Sequence, residues 1–409
     1  MSDFNPFPQD LLITDFGYPL PDDKIARYPL ELRDRSKLLV WKAGEITNAD
    51  FQHLPDFLPT PALLVLNNSR VVEARILFQK PSGGEIEIFC LEPDPAFPNI
   101  ALAMAQTGKV LWSCLIGGAS KWKPGQVLGK QMGEIRLEAR FIGRRADDFT
   151  VEFSWTPVDI PFAAVLHQLG AVPLPPYLKR TAEEKDAERY QTIYAQESGS
   201  VAAPTAGLHF TEPLLKTLSL KNIEPLYLTL HVGAGTFMPV KTENISEHLM
   251  HEEFIEVDIA GLTKLMTRLD DPLIAVGTTS LRALESLYWL GLKLSQDKQI
   301  DASALRLDQW YAYRQKADLT VKEALGHLLE WVERHHEKKL IAKTQLFIVP
   351  GYRFQLVRGL ITNFHQPQST LLLLVAALIG PAWKSAYSWA LENDYRFLSY
   401  GDACLFLPG

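Results

Sequence analysis

Cysteine is scarce in this chain. Only Cys90, Cys114 and Cys404 occur in 409 residues, and none forms a CxxC pair. A disulfide framework and a Cys-rich zinc site are thereby excluded, and the usage suits a reducing, cytoplasmic setting. The N-terminal MSDFNPFPQD has neither a basic n-region nor an apolar h-region, so no secretory signal is read there. The longest apolar run, Leu371 to Ile379, is about half a membrane span and predicts a buried helix, with no membrane partner. No GxGxxG opens a helix after a strand. Gly233-Ala-Gly235 is followed by Thr-Phe-Met-Pro, and Pro239 opposes an immediate helix, which disfavours a Rossmann dinucleotide site. A Walker P-loop and a GxSxG elbow are also missing. His248 and His251 precede Glu252 and Glu253, but this is not the HExxH arrangement and spacing marks no third ligand, so no metal is expected.

What is present is ordinary for a globular protein: 47% hydrophobic and 22% charged residues, with length enough for two domains. From about Arg75 to Trp155 short alternating runs (EIEIF, VLWSCLI, IRLEARFIG, FTVEFSW) are separated by glycine or proline. This period-two texture, with no convincing helix, predicts an antiparallel sheet or small barrel. Elsewhere the texture is α/β. ALLVLN at 62–67 reads as a buried strand. Leu226–Val232, Leu273–Gly277 and Leu356–Asn363 read as strands running into turns, the last two followed by helices, and Asp159–Leu169 reads as a helix. The expected fold is α/β (α+β, multidomain): a mixed-sheet α/β domain of residues 1–75 and 156–409 with an inserted antiparallel β-barrel at 76–155. A helical insertion is read at about 291–345, where Ala324, Leu325, Leu328, Leu329, Trp331 and Val332 recur at helical spacing.

The net charge of −7 argues mildly against nucleic acid, but its distribution is uneven. Between Lys109 and Arg145 eight basic residues stand against Glu134 and Glu138. This is either a solvated strand face or an RNA-facing surface.

Two stretches join histidine to small residues: GSVAAPTAGLHFTE at 199–212, with His209, and TLHVGAGTFMPVK at 229–241, with His231. Either alone is a tight turn. Together they read as walls of a small-molecule pocket, because glycine lets a ligand approach the backbone. Thr278 and Thr279 end a strand, and Ser280 occupies an expected helix N-cap, a place where free N–H groups bind anions or hydroxyls. Arg282 and Glu285 are spaced to pair along that helix. Asn363, Phe364 and His365 end another strand, with Ser369 capping the next helix. Asp402, in Tyr400-Gly401-Asp402, is a turn residue or a partner for a positive group.

Taken in order, these segments, with YPLELRDRSKLLV, LLVLNNSRVVEARI, VPLPPYLKR, DAERYQTIYA, HLMHEEF, AVGTTSLRALES, ITNFHQPQSTLLLL and YRFLSYGDA, resemble the S-adenosylmethionine:tRNA ribosyltransferase-isomerase family of queuosine synthesis. The resemblance covers nearly the whole chain. Residues 291–345 stand as an insertion against the commoner family pattern, and Gln366 and Gln368 replace Leu and Lys. The resemblance implies a cytoplasmic enzyme that moves the ribosyl part of S-adenosylmethionine onto 7-aminomethyl-7-deazaguanine at the wobble position of a tRNA. The product is epoxyqueuosine, with release of adenine and methionine. S-adenosylmethionine is then a consumed substrate, no cofactor is implied, and a monomer is the default.

The sulfonium acidifies the ribose 5′ protons, so a base titrating near neutrality is wanted, with His209, His231 and His365 as unranked candidates. Gly233, Gly235, Thr236, Thr278, Thr279, Ser280, Arg282, Asn363, Phe364 and Asp402 are candidates for binding S-adenosylmethionine. Glu253 and Asp402 could balance the sulfonium, and Phe210, Phe237 or Phe364 could supply ring faces. Arg70, Tyr177, Lys179 and Arg180 are candidates for RNA. The competing readings are a paralogue acting on another RNA or nucleoside, an RNA-binding protein without catalysis, and a methyltransferase.

Overall fold

The structure is a computed structural model that describes residues 7–8, 10–80, 83–97, 100–123, 125–144, 148–233, 240 and 242–408. Among these residues the chain first lays down β1 (Lys37–Lys42), β2 (Glu45–Asp50), β3 (Ala62–Asn67) and β4 (Ser69–Val71). It then enters β5 (Arg75–Gln79), β6 (Glu85–Pro93), α1 (Ile100–Met104), β7 (Lys109–Gly117), β8 (Val127–Met132), β9 (Ile135–Arg144) and β10 (Phe149–Thr156). These six strands form one sheet in the order β5-β6-β7-β10-β9-β8, antiparallel at every step. Its edge strands β5 and β8 lie close together, giving a barrel-like unit with its own core, including Trp112, Phe153 and Phe162. The short α1 departs from the helix-free texture expected here. Its five residues are too few to show a helical period.

After the barrel come α2 (Phe162–Leu169), α3 (Asp186–Arg189), β11 (Glu197–Ser200), α4 (Glu212–Leu220), β12 (Ile223–His231), β13 (Glu253–Asp258), α5 (Ile259–Thr267), β14 (Leu273–Val276) and α6 (Thr278–Gln296). The chain ends with β15 (Arg306–Leu307), α7 (Tyr311–Arg314), α8 (Val321–Arg334), β16 (Lys339–Thr344), β17 (Val357–Asn363), α9 (Thr370–Ile379), α10 (Ala382–Glu392) and β18 (Ala403–Leu407). Ten strands make the large sheet, in the order β15-β16-β13-β12-β3-β14-β17-β18-β1-β2. Its centre, β12-β3-β14-β17, is parallel, and antiparallel pairs flank it. The short β4 and β11 pair separately in parallel.

Burial explains this order. Every residue of β3 is buried, as a central parallel strand covered on both faces requires. Leu63 and Val65 pack on one side with α5, α6, α8, α9 and α10, while Ala62, Leu64 and Leu66 pack on the other with Leu214 and Leu218 of α4. The molecule is thus a three-layer α/β sheet carrying a barrel.

Residues 291–345 are more than a helical segment. The helix α6 runs on to Gln296, and the remainder holds β15, α7, α8 and β16, whose strands extend one edge of the sheet. Helix α8 begins with a capping box between Thr320 and Glu323 and packs on α6, where Gly291 meets the Ala324 backbone. Among the described residues no single helix is long and apolar enough to cross a membrane. Helices α9 and α10 together reach that length but turn by 113°.

Candidate active site

The main cleft opens where the parallel strands end, the usual site position in an α/β sheet. It measures about 720 Å³ counted to its open mouth. Ala202 to Ala206 form one wall, Gly277, Thr278 and Thr279 follow β14, and Thr362 to His365 follow the run of β17. Tyr177 and Ser399 close the rim, joined by a 2.5 Å hydrogen bond between their hydroxyls. Burial pushes the Tyr177 phenol up to about 12, so it stays protonated.

The three histidines have different surroundings. His365 lines the cleft, and burial pushes its pKa down to about 3. Its Nε2 shares a 2.9 Å hydrogen bond with the Thr362 hydroxyl, its backbone N–H donates to the Tyr387 hydroxyl, and Tyr18 donates to its carbonyl. His209 lies behind the wall instead. Asn363 Nδ2 donates to its Nε2 (3.1 Å), which leaves the proton on Nδ1 to donate to Ser36 Oγ (2.8 Å). Thr205 Oγ1 donates to Asn363 Oδ1 (2.8 Å) and so fixes the amide orientation. Burial lowers the His209 pKa to about 4, although the nearby Asp402 opposes this. His231, at the end of β12, is also buried away from the cleft. Its Nε2 meets Glu256 Oε1 at 3.3 Å, and Glu256 also pairs with Lys339. Its Nδ1 faces Gly199, a glycine at φ +138° whose missing Cβ makes room for the ring.

Helix α6 starts two residues before the expected cap. Gly277, at φ +89°, is the N-cap and supplies no side chain, so first-turn N–H groups are left open beside the cleft. Ser280 is therefore inside the helix, buried, and its hydroxyl donates back to Val276 O (2.7 Å) instead of facing a ligand. Arg282 and Glu285 do not pair. The Arg282 guanidinium pairs with Glu253 on β13, whereas Glu285 accepts from the N–H groups of Gln355, Leu356 and Val357 and from the Tyr352 hydroxyl. Burial lowers the Arg282 pKa to about 10.

Asp402 is not in the cleft either. It accepts from the N–H groups of Lys37 and Arg396 and from the Arg396 guanidinium, holding the C-terminal turn. Phe364 lines the cleft but is fully buried in a ring cluster with Tyr387, Tyr395 and Phe397. Gly233 lies in a separate cleft beside the barrel, and Gly235, Thr236 and Phe237 fall outside the described residues. Phe210 is buried against Phe51. His248 and His251 precede β13 in chain without helical structure.

Of the residues expected to meet RNA, Arg70 is exposed on β4. Lys179 pairs with Asp22, and Arg180 makes two bonds to Asp186 while lying 4.2 Å over the Tyr28 ring, so both already hold protein partners. Thr205, Thr362 and Ser399 belong to the site although sequence reasoning did not single them out. A short polar residue carries no signal until the fold supplies its partner.

Residues 13–406 match the family described as queuosine biosynthesis protein. The chain belongs to this family. It is 39% identical over 405 residues to the S-adenosylmethionine:tRNA ribosyltransferase-isomerase of Halothermothrix orenii, covering 97% of this chain and 99% of that protein. It is 38% identical over 396 residues to the protein of the same name from Nitrosomonas europaea, covering 96% and 95%. A solved structure described as S-adenosylmethionine tRNA ribosyltransferase from Thermotoga maritima is 28% identical, with a TM-score of 0.45, over 96% of this chain and 100% of that one. Within this queuosine family member, the segments at 202–206, 278–279 and 362–365 are the ones that meet at the cleft.

Proposed function

We propose that this protein is a cytoplasmic S-adenosylmethionine:tRNA ribosyltransferase-isomerase. It transfers and isomerises the ribosyl part of S-adenosylmethionine onto 7-aminomethyl-7-deazaguanine at the wobble position of a tRNA, giving epoxyqueuosine and releasing adenine and methionine. The observation that carries this reading is the cleft itself: in a chain of the queuosine family, three segments distant in sequence converge at the strand ends on one pocket beside an uncapped helix N-terminus. S-adenosylmethionine is a consumed substrate in this scheme, and no cofactor takes part.

Of the three candidate histidines, His365 is the one that lines the cleft. Burial pushes its pKa down to about 3, so its ring is neutral and offers the ligand a hydrogen-bonding partner, whereas a base titrating near neutrality would need a higher pKa. His209 acts through Asn363, whose amide lines the cleft while His209 and Thr205 fix its orientation. The amine nucleophile belongs to the RNA, so the protein's task is to hold amine and sugar in attack geometry and exclude water. Arg70 and the exposed basic residues of the barrel supply phosphate contacts.

The test incubates purified protein with S-adenosylmethionine and tRNA carrying 7-aminomethyl-7-deazaguanine. Stoichiometric adenine and methionine, with a matching mass gain on the tRNA, is the expected result. Folded protein with verified tRNA and no adenine release would remove this reading.

A further inference from the structure

The first turn of α6 is flanked by two openings. The second measures about 550 Å³ counted to its mouth and shares Thr278, Thr279 and Leu371 with the main cleft, so the two meet at a neck. Their chemistry differs. The second cleft has an apolar wall of Leu346, Ile348 and Leu374 with Met250 beside it, and its charged floor is the pair Arg282 and Glu253. Arg282 is 9% exposed, and its Nε has no hydrogen-bond partner among the described residues. Thr279, equally buried, has an unpartnered Oγ1 at the neck. Buried donors without partners are costly, and a ligand that accepts from them removes the cost.

We propose that this second cleft is a subsite for an α-amino acid, namely the methionine portion of S-adenosylmethionine. A zwitterion matches a neutral ion pair: its carboxylate accepts from the Arg282 guanidinium, and its ammonium donates to Glu253. The open N–H groups of the α6 first turn add positive potential on the carboxylate side. The aliphatic chain follows the apolar wall and brings the sulfur to the neck at Thr278 and Thr279, with the nucleoside in the main cleft. Cleavage then leaves methionine in one chamber and adenine in the other, as separate occupants. The identity of the donor rests on the proposed function. The subsite rests on the cleft's own chemistry.

The experiment is calorimetric titration of the full chain without RNA. L-methionine is titrated with and without saturating adenine, then replaced by L-methioninamide, which lacks the carboxylate, and by 4-(methylthio)butanoate, which lacks the ammonium. The expected result is methionine binding that adenine leaves unchanged, with each analogue weaker by at least about tenfold. Arg282→Gln is expected to weaken methionine by a similar factor while adenine affinity, read on the same sample, stays as in the parent protein. The proposal is overturned if methionine does not bind, if adenine displaces it, or if the analogues bind equally well. The analogue series needs no variant, so a poorly folding Arg282→Gln cannot obscure the answer. Arg282-dependent methionine binding without ribosyl transfer would remove the proposed function alone. Ribosyl transfer without methionine binding would remove the subsite alone.

Discussion

His365 and His209 are both neutral by burial, and this gives the fold a definite pH response. For each, the folded pKa lies below the unfolded value near 6.5. The unfolded chain therefore binds protons first as pH falls. Their stabilising contribution is complete above about pH 6.5 and is lost progressively toward the folded values of about 4 for His209 and about 3 for His365. Urea unfolding at pH 7 and pH 5 is expected to show a lower midpoint at pH 5, with a smaller drop in His365→Asn. An equal drop in both proteins would mean that His365 is not the group responsible. A second prediction separates positioning from proton transfer. His209→Gln is expected to lower kcat by roughly tenfold to a hundredfold through a misplaced Asn363, and to keep the pH limbs of the parent enzyme. Loss of a limb would make His209 the base. Sequence could place these histidines among small residues, but it could not orient them. The partners that decide their roles are remote: Ser36 for His209 and Glu256 for His231.

Elements with long apolar runs and clear ends were legible. β3, β12, β14 and β17 fall where apolar stretches run into polar turns, and α9 begins after the Ser369 cap, whose hydroxyl accepts from the Leu372 N–H. The strand β16 was hidden because Lys339–Thr344, KLIAKT, shows no alternation of polar and apolar residues and comes only four residues after α8, so it reads as the helix's tail. The start of α6 was misread because Gly277 adopts a conformation that only the folded turn reveals. The same helix carries two testable constraints. Glu285 receives three backbone N–H groups at the start of β17, so Glu285→Gln would turn an amide N–H toward donors and cost roughly 2–4 kcal/mol. Gly291→Ala would push a Cβ into the Ala324 backbone, separate α6 from α8 and cost roughly 1–3 kcal/mol. Denaturant unfolding of the two variants checks both, and an unchanged midpoint in either would contradict the corresponding contact.

At the scale of the whole molecule, a chain with net charge −7 must engage a polyanion through local distribution. The barrel provides one. On β9 the inward residues Ile135, Leu137 and Ala139 are buried, while Arg136 and Arg140 stand exposed on the opposite face by the period of two that a strand imposes, and Arg144, past a bulge in the pairing with β10, is exposed over the Phe149 ring. That alternation reconciles the two readings of the basic segment: a solvated strand face is also the surface a phosphate backbone would meet. Counterion release makes the idea quantitative, because each phosphate contact adds about 0.7 to the slope of log affinity against log salt for a single strand. Replacing the three arginines with glutamine is therefore expected to flatten the slope for tRNA binding by about 2, with S-adenosylmethionine affinity unchanged because the barrel face is not part of the main cleft. Filter binding between about 50 and 200 mM salt measures it. An unaltered slope would detach the barrel from RNA recognition and move the contact to the exposed Arg70 side of the α/β sheet.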